Sequence, residues 1–244
     1  MSFYEREDYM KTILIKLSGE SLAGSNSEKR GIDDNYVEYI SKRIKNAQDL
    51  GARIGIVCGG GNFMRGGRTS KVIAREVADY MGMLGTVMNA LALYDGLTRV
   101  GAKAYIQSGL DVASPYVNKL NSKEAMDALN DGKIVVFGGG TGKPGCSTDT
   151  AAAGRAKDIE ADAIVKLTNV DGVYDKDPDE YEDAVMYDEV TFDTVLEKEL
   201  GIMDLSAIEM CRDNNIEIIV TNIDNETALE DIIRGKKVGT RVYK

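Results

Sequence analysis

Short hydrophobic runs recur along the chain and alternate with longer segments of helical periodicity. Each run ends in glycine or small polar residues, which is typical of short buried strands. The runs predict strands at 11–20, 53–62, 102–108, 133–140, 162–169 and 216–222. The intervening segments predict helices at 34–50, 70–99, 122–131, 148–160, 204–214 and 226–234. Alternating strands and helices favour right-handed crossovers and a mainly parallel sheet with both faces covered.

Glycine and hydroxyl residues gather where four of the predicted strands end. They are Ser18 with Gly19, the glycines of 59–61, the glycines of 138–140, and Thr168 with Asn169. Ligands of open parallel sheets lie beyond the carboxyl ends of the strands. We therefore expect one long ligand groove at this edge. Because the chain has no internal repeat and no linker-like segment, we expect a single domain over 1–244.

The charge balance argues against a nucleic-acid partner. The chain has 40 acidic and 30 basic residues and a net charge of −10, whereas a polyanion requires a basic surface. It has no histidine, which excludes His-based triads and His metal sites. The three cysteines are widely spaced, so we expect neither disulfides nor a zinc site.

The chain also lacks the signals of export or membrane insertion. The first residues, MSFYEREDYMK, carry charges where a signal peptide needs an apolar core. The longest weakly charged run, 80–94, is shorter than the ~20 residues of a membrane helix, and it predicts a buried helix instead. We expect a cytoplasmic protein without a membrane partner.

The stretch FGGGTGKPGCSTDT (137–150) resembles two phosphate-binding templates but satisfies neither. A mononucleotide P-loop needs glycine at Phe137 and a hydroxyl at Pro144. The dinucleotide GxGxxG pattern fits the letters, but Pro144 has no N–H to donate and no suitable βαβ unit flanks it. What remains is a glycine turn before the helix start at 147–149. This start could bind an anion or could simply be a capped turn.

Two basic residues suggest phosphate chemistry. Lys16 lies inside an apolar strand, directly before Ser18 and Gly19, where its charge could offset the charge that develops during phosphoryl transfer. The alternative is a lysine on an edge strand. Arg65 follows the glycines of 59–61, and its planar guanidinium suits phosphate.

Three acidic features remain open from the residues alone. Asp79 precedes an apolar, methionine-rich helical run that could equally form a packing surface or a subunit interface. Asp204 stands isolated among apolar residues, where it could also be a plain helix N-cap. The acidic stretch 171–189 is either a solvated surface excursion or part of a site.

Taken in order, several segments resemble one known family over nearly the whole chain. They are KLSGESLAG (16–24), GGGNFMRG (59–66), ADYMGMLGTVMNALAL (78–93), the run from STDT (147–150) to TNVDGVYDKDP (168–178), and VLEKELGIMDLSA (195–207). The chain resembles the bacterial uridylate kinases of the amino acid kinase superfamily. The resemblance implies an open, mainly parallel αβα sandwich, usually assembled as a homohexamer. It also implies transfer of the γ-phosphoryl group of ATP to UMP with Mg²⁺, in pyrimidine nucleotide biosynthesis.

The resemblance further implies roles for particular residues, with the N-terminal part mainly binding the acceptor and the C-terminal part mainly binding ATP. The implied catalytic residues are Lys16, Arg65, Asp149 and Asp204. The implied ATP-binding residues are Lys16, Ser18, Gly19, Gly61, Arg65, Thr168, Asn169, Tyr174 and Asp177. The implied UMP-binding residues are Gly60, Asp79, Thr141, Gly142, Ser147 and Thr148. No protein side chain is implied as a metal ligand.

The chain departs from the family pattern in two places. Lys143 replaces an asparagine, and Gly145 and Cys146 replace two aromatic residues, so the contacts of those side chains do not carry over. The segment GSNSEKRGID (24–33) lacks the Gly-Phe of a segment linked to GTP activation, so the resemblance does not carry GTP activation over to this chain. The alternatives are a related kinase acting on a carboxylate or carbamate, and a catalytically silent nucleotide-binding regulator.

Overall fold

The computed structural model describes residues 11–24, 30–64 and 72–244. The strands are β1 (Thr12–Leu17), β2 (Arg53–Cys58), β3 (Lys103–Ser108), β4 (Val117–Lys119), β5 (Lys133–Gly138), β6 (Ala163–Thr168), β7 (Val173–Tyr174), β8 (Met186–Tyr187), β9 (Glu189–Thr191), β10 (Glu217–Asn222) and β11 (Thr240–Tyr243). The helices are α1 (Asp34–Asp49), α2 (Arg75–Arg99), α3 (Ser122–Asn130), α4 (Thr148–Asp158), α5 (Phe192–Glu197), α6 (Leu205–Asp213) and α7 (Ala228–Ile233). A 3-10 helix, Gly19–Ala23, follows β1.

Nine of these strands form one sheet in the order β4-β3-β5-β2-β1-β6-β10-β11-β9. Every neighbouring pair is parallel except β10 with β11, so β11 and β9 run opposite to the rest. The six predicted strands are β1, β2, β3, β5, β6 and β10, and each predicted helix is present with shifted ends. The predicted helix at 70–99 begins at Arg75, and its first two residues lie outside the described ranges.

Helices cover both faces of the sheet, which confirms the expected three-layer αβα sandwich. Along β1, Ile13, Ile15 and Leu17 pack under α1, α2 and α7, whereas Leu14 packs under α3, α4 and α6. This alternation follows from the two-residue period of a strand. Lys16 is two residues after Leu14, so its side chain lies on the same face of the sheet, which α4 covers.

The chain reverses its direction of travel across the sheet between β1 and β6. After β1 it crosses to β2, whereas after β5 it crosses through α4 to β6, on the other side of β1. Such a switch point leaves a crevice at the carboxyl ends of the two strands. Lys16 and Lys166 are register partners there. The edge-strand interpretation of Lys16 is therefore wrong, because β1 pairs with a strand on each side.

Helix α2 is less buried than its apolar sequence predicts. Its buried residues face the sheet, but an apolar stripe on its outer side is 40–52% exposed: Val77, Tyr80, Met81, Leu84 and Met88. The prediction of a buried helix over 80–94 is wrong for this side, because the sheet covers only one side of α2. Within the described ranges, no helix combines the length and hydropathy needed to cross a membrane.

Candidate active site

Two cavities open at the carboxyl ends of the central strands. The N-terminal cavity, of about 340 Å³, is lined by residues between Lys16 and Thr148. The C-terminal cavity, of about 420 Å³, is lined by residues between Lys166 and Val220. Lys16 of β1 lines the N-terminal cavity and Lys166 of the neighbouring β6 lines the C-terminal cavity, so the two cavities are at adjacent strand ends.

The structure distributes most of the predicted site residues over these two cavities. The N-terminal cavity is lined by Lys16, Ser18, Gly19, Gly60, Gly61, Asp79, Thr141, Ser147 and Thr148. The C-terminal cavity is lined by Thr168, Tyr174 and Asp177. Arg65 lies outside the described residues.

Four of the described predicted residues line neither cavity: Gly142, Asn169, Asp149 and Asp204, of which the two aspartates are described below. Gly142 has a φ of 76° and donates its amide to the Gly139 carbonyl across 2.9 Å, which closes the glycine turn. The Asn169 carbonyl accepts a long hydrogen bond of 3.5 Å from the Asn222 side chain. In this structure Gly142 and Asn169 both shape loops next to the cavities.

Asp149 lies between two lysines from adjacent strands. Its Oδ1 is 3.0 Å from Lys16 Nζ, and its Oδ2 is 3.7 Å from Lys166 Nζ. These side chains are only 14–19% exposed, so solvent screens their charges weakly. Asp149 reaches this position because Ser147 caps α4, accepting a 3.0 Å hydrogen bond from the Thr150 amide. The cap at Ser147 is thus observed, and it is compatible with both interpretations of 147–149.

Lys166 was not predicted, although AIVKLT repeats the pattern of ILIKLS around Lys16. Burial lowers the pKa of Lys166, the nearby Lys16 lowers it further, and Asp149 opposes both effects. Its ammonium also donates a hydrogen bond to the Ile202 carbonyl. The lysine at the matching position of a second apolar strand was the sequence signal that could have identified Lys166 as a site residue.

Asp204 joins the starts of α4 and α6. It is the N-cap of α6, as one interpretation predicted, and accepts a 2.9 Å hydrogen bond from the Ala207 amide. It also accepts hydrogen bonds from the hydroxyls of Ser147, Thr150 and Ser206. Partial burial alone would raise the pKa of Asp204, but these hydrogen bonds to the ionised form outweigh it and lower the pKa. Asp204 therefore holds the helix start that carries Asp149.

Asp79, on the first turns of α2, contacts the glycine turn over the N-terminal cavity. Its Oδ2 accepts a 2.8 Å hydrogen bond from the Gly145 amide. Gly145 has a φ of 81°, which side-chain-bearing residues rarely adopt. Gly145 replaces an aromatic residue of the family pattern, and this glycine permits the positive φ of the turn.

Two buried asparagines that the sequence analysis did not single out support the glycine loop after β2. Asn62 and Asn89 exchange hydrogen bonds of 2.9 and 2.8 Å between their side-chain amides. Asn89 also donates to the Gly59 carbonyl across 2.7 Å, and Asn62 donates to the Gly31 carbonyl across 2.7 Å. Asn89 is a polar residue within the apolar run of α2, and this was the sequence signal that could have indicated a buried polar contact.

The loops after β1 and β2 meet backbone to backbone. A Cβ on Gly19 would overlap the Gly59 carbonyl and lie 2.7 Å from the Gly61 nitrogen. A Cβ on Gly60 would overlap the Gly82 carbonyl of α2. Glycine is therefore required at both positions by close approach.

The acidic stretch 171–189 contributes to the C-terminal cavity at its beginning. Strands β7 and β8 form an antiparallel ribbon, and the cavity is lined by the residues 174–178. This part is thus more than a surface excursion, because it forms one wall of the cavity, although Asp175 and Asp177 are exposed. Among the described residues, no three acidic or cysteine side chains are grouped so that they could hold a metal ion.

The chain is similar to known kinases over nearly its whole length. The model of the amino acid kinase family matches residues 11–222, and the chain belongs to that family. The resemblance to bacterial uridylate kinases is confirmed by two of its relatives. A uridylate kinase from Acinetobacter baumannii is 46% identical over 234 residues, which cover 95% of this chain and 96% of that protein. One from Psychrobacter cryohalolentis is 45% identical over 95% of both chains.

Solved structures agree with this placement. The UMP kinase from Bacillus anthracis superposes with a TM-score of 0.90 at 33% identity, covering 96% of each chain. The UMP kinase from Ureaplasma parvum superposes with a TM-score of 0.89 at 32% identity, covering 97% of this chain and all of that one.

Proposed function

We propose that the chain transfers the γ-phosphoryl group of ATP to UMP, giving UDP and ADP, in pyrimidine nucleotide biosynthesis in the cytoplasm. The observation that carries the proposal is the pair of cavities at adjacent strand ends, one lined by Lys16 and the other by Lys166, with Asp149 in contact with both lysines. Two nucleotides bound in these cavities would bring their phosphates together between β1 and β6. The uridylate kinase relatives support UMP as the acceptor.

The two halves of the chain divide the substrates. The N-terminal cavity, with Asp79 and the residues 140–148, takes UMP, and the carboxylate of Asp79 suits ribose hydroxyls. The C-terminal cavity takes ATP, with the Tyr174 ring available to the base and Asp177 available to ribose hydroxyls. Lys16, Ser18 and Gly19 lie where the phosphate of UMP would meet the phosphate chain of ATP.

Positioning and charge stabilisation account for the chemistry. A phosphate oxygen of UMP is already anionic, so the attack needs no strong general base, and the absence of histidine is no obstacle. Lys16 stabilises the charge on the transferred group, while Asp149 and Asp204 hold the lysine and the helix start in place.

Mg²⁺ fits this site as a companion of ATP. The nearby carboxylates are already engaged: Asp149 with lysines, and Asp204 with hydroxyls and an amide. The metal would therefore be held by phosphate oxygens and water, as Mg²⁺ commonly is in nucleotide sites. When bound, it neutralises charge on the phosphates of ATP.

One assay separates this function from its alternatives. ADP formation from ATP is measured with UMP, CMP, dUMP, AMP, acetylglutamate, carbamate and no acceptor. We expect turnover with UMP well above that with the other acceptors. Turnover with acetylglutamate or carbamate alone would identify a different kinase. Saturable UMP binding without any turnover would identify a regulator.

We further propose that the chain forms a homohexamer through the exposed apolar stripe of α2. The stripe's five residues would leave an unusual apolar surface in water if α2 stayed uncovered. Light scattering after size exclusion should give six times the 26.5 kDa chain mass. Leu84→Glu should give smaller species, whereas Leu50→Glu, at an exposed position after α1, should not. A monomeric parent protein would contradict the proposal.

A further inference from the structure

A short ribbon forms one wall of the C-terminal cavity. Its strands, β7 and β8, pair at only two positions, Val173 with Tyr187 and Tyr174 with Met186. A two-stranded ribbon of this length is at best marginally stable in water on its own. The cavity residues 172–178 therefore keep their position only if the ribbon is fixed to the main sheet.

The hydroxyl of Thr240, on β11, links the two strands of this ribbon. Thr240 Oγ1 accepts a 2.8 Å hydrogen bond from the Val173 amide and donates a hydrogen bond to the Tyr187 carbonyl. Val173 and Tyr187 are register partners, so one side chain engages both strands at the same position along the ribbon. Because Thr240 is completely buried, loss of its hydroxyl would leave the Val173 amide without its acceptor.

The main sheet contacts both ends of the ribbon at this point. A Cβ on Gly172, directly before the ribbon, would overlap Thr240 Oγ1, so the backbone approaches β11 closely there. Directly after the ribbon, the Asp188 carbonyl accepts a 3.0 Å hydrogen bond from the Arg241 amide. The start of β11 is therefore the place where the ribbon is attached to the sheet.

Thr240 does not itself reach the nucleotide site. It does not line the C-terminal cavity, whereas Val173, Tyr174 and Asp177 do. Any effect of Thr240 on a bound nucleotide must therefore pass through the ribbon. Tyr174 follows Val173 directly, so a shift of the Val173 backbone also moves the Tyr174 ring.

We propose that Thr240 is a positioning residue for the donor nucleotide: its hydroxyl fixes the ribbon so that Tyr174 and Asp177 are already placed for the base and the ribose of ATP. A preformed ribbon need not be ordered when the nucleotide binds. If the ribbon occupied the binding position only about one-tenth of the time, the apparent affinity would fall about tenfold. This inference rests on the proposed function, which assigns ATP to the C-terminal cavity.

Four variants test this role: Thr240→Val, Thr240→Ser, Thr240→Cys and the control Thr12→Val. Thr240→Val has nearly the same shape but no hydroxyl, whereas Thr240→Ser keeps the hydroxyl. Thr12 is also a buried threonine of the sheet, but its hydroxyl has no hydrogen-bond partner among the described residues. It lies at the amino end of β1, away from the cavities. Thr12→Val should therefore change neither nucleotide affinity nor kcat.

By calorimetry, Thr240→Val should bind ADP about tenfold more weakly than the parent protein. Adenosine should lose affinity by the same factor, because the ribbon is proposed to contact the base and the ribose. The KM for ATP should rise correspondingly, while kcat and the KM for UMP stay within about twofold. Thr240→Ser should restore the affinity of the parent protein. Thr240→Cys should be intermediate, because a thiol is a weak donor and a weak acceptor.

A purely structural role would give a different result. Thr240→Val would then lower the melting temperature and leave the affinity for ADP unchanged, and this outcome would overturn the proposal. Equal losses for ADP and UMP, or a loss for ADP without one for adenosine, would overturn it as well. If Thr240→Val fails to fold, the comparison is made on Thr240→Cys, for which an ADP affinity equal to that of the parent protein would overturn the proposal.

Failure of the proposed function is distinguishable from failure of this inference. A parent protein that binds ADP but does not phosphorylate UMP would refute the proposed acceptor, and the ADP affinities of the variants would still decide the role of Thr240. A parent protein that binds neither ADP nor adenosine would overturn both proposals.

Discussion

The carboxylate of Asp79 accepts a hydrogen bond from the backbone amide of Gly145 across 2.8 Å. This bond joins α2 to the glycine turn over the N-terminal cavity. A ribose hydroxyl bound by Asp79 must share this carboxylate with the Gly145 amide or displace it. The proposed binding of the acceptor by Asp79 would therefore couple acceptor binding to the position of the turn.

We expect Asp79→Asn to weaken UMP binding, because the substitution preserves size but removes the charge and one acceptor oxygen. The KM for UMP should rise by about tenfold, which corresponds to the loss of one charged hydrogen bond, and the KM for ATP should stay within about twofold. Steady-state kinetics with each substrate varied in turn checks this. Asp95→Asn, at an exposed position on the same helix, serves as the matched control. An effect confined to ATP would show that Asp79 is wrongly placed.

Lys16→Ala should act on the chemical step. We expect kcat to fall by about 10²–10³-fold while the KM for UMP changes only a few-fold, because the stabilised charge develops in the transition state. Rapid-quench and steady-state rates measure this. Lys103→Ala, at the exposed start of β3, should leave both parameters unchanged. Survival of kcat within a few-fold would remove Lys16 from the catalytic group.

Asp204 should make stability depend on pH in the acid range. Its pKa in the folded protein is lowered below the unfolded value of about 3.9. Its contribution to stability is therefore present above that value and lost as the pH falls through the folded pKa. Asp204→Asn preserves an N-cap residue but removes the charge, so its melting temperature should be lower at pH 7 by about 2–4 °C per kcal/mol lost.

The difference between the parent protein and Asp204→Asn should shrink as the pH falls below about 4, as the parent loses the same charge by protonation. Thermal unfolding followed by circular dichroism between acid and neutral pH measures it. Asp213→Asn, at the exposed end of α6, is the control. A difference that stays constant with pH would mean that the Asp204 charge does not stabilise the fold.

Asn89→Ala should destabilise the protein, because it leaves the Asn62 side chain and the Gly59 carbonyl without their partner. Each buried group that loses its hydrogen bond costs about 1–3 kcal/mol. Urea unfolding measures the loss, and Asn46→Ala, at an exposed position on α1, should stay within about 0.5 kcal/mol of the parent protein. If Asn62→Ala and Asn89→Ala were additive in the double variant, the two side chains would not be coupled.

The sequence predicts the central part of the sheet because those strands are buried on both faces. Continuous apolar runs such as ILIKL and KIVVFG leave little choice of structure. The strands that the sequence analysis missed, β4, β7, β8, β9 and β11, have two to four residues each. Such short segments take their conformation from the strand or loop beside them, which the local pattern does not encode.

The position of a single conspicuous residue in the candidate site was predictable from the sequence, whereas a contact between residues of two different elements was not. Lys16 was conspicuous inside an apolar strand. Lys166 became meaningful only when the register set it beside Lys16. Asn62 follows β2 and Asn89 lies on α2, and the sequence around either residue does not predict its contact with the other. The roles of the predicted site residues remain predictions for the variants above.

The backbone contact between Gly19 and the glycines of 59–61 limits how this chain can change at this position. Because no side chain separates the two turns, neither can change shape without moving the other. Change is more readily accommodated at Lys143 and Cys146, whose exposed side chains line the N-terminal cavity. In this chain those two positions also belong to one of the two segments that depart from the family pattern.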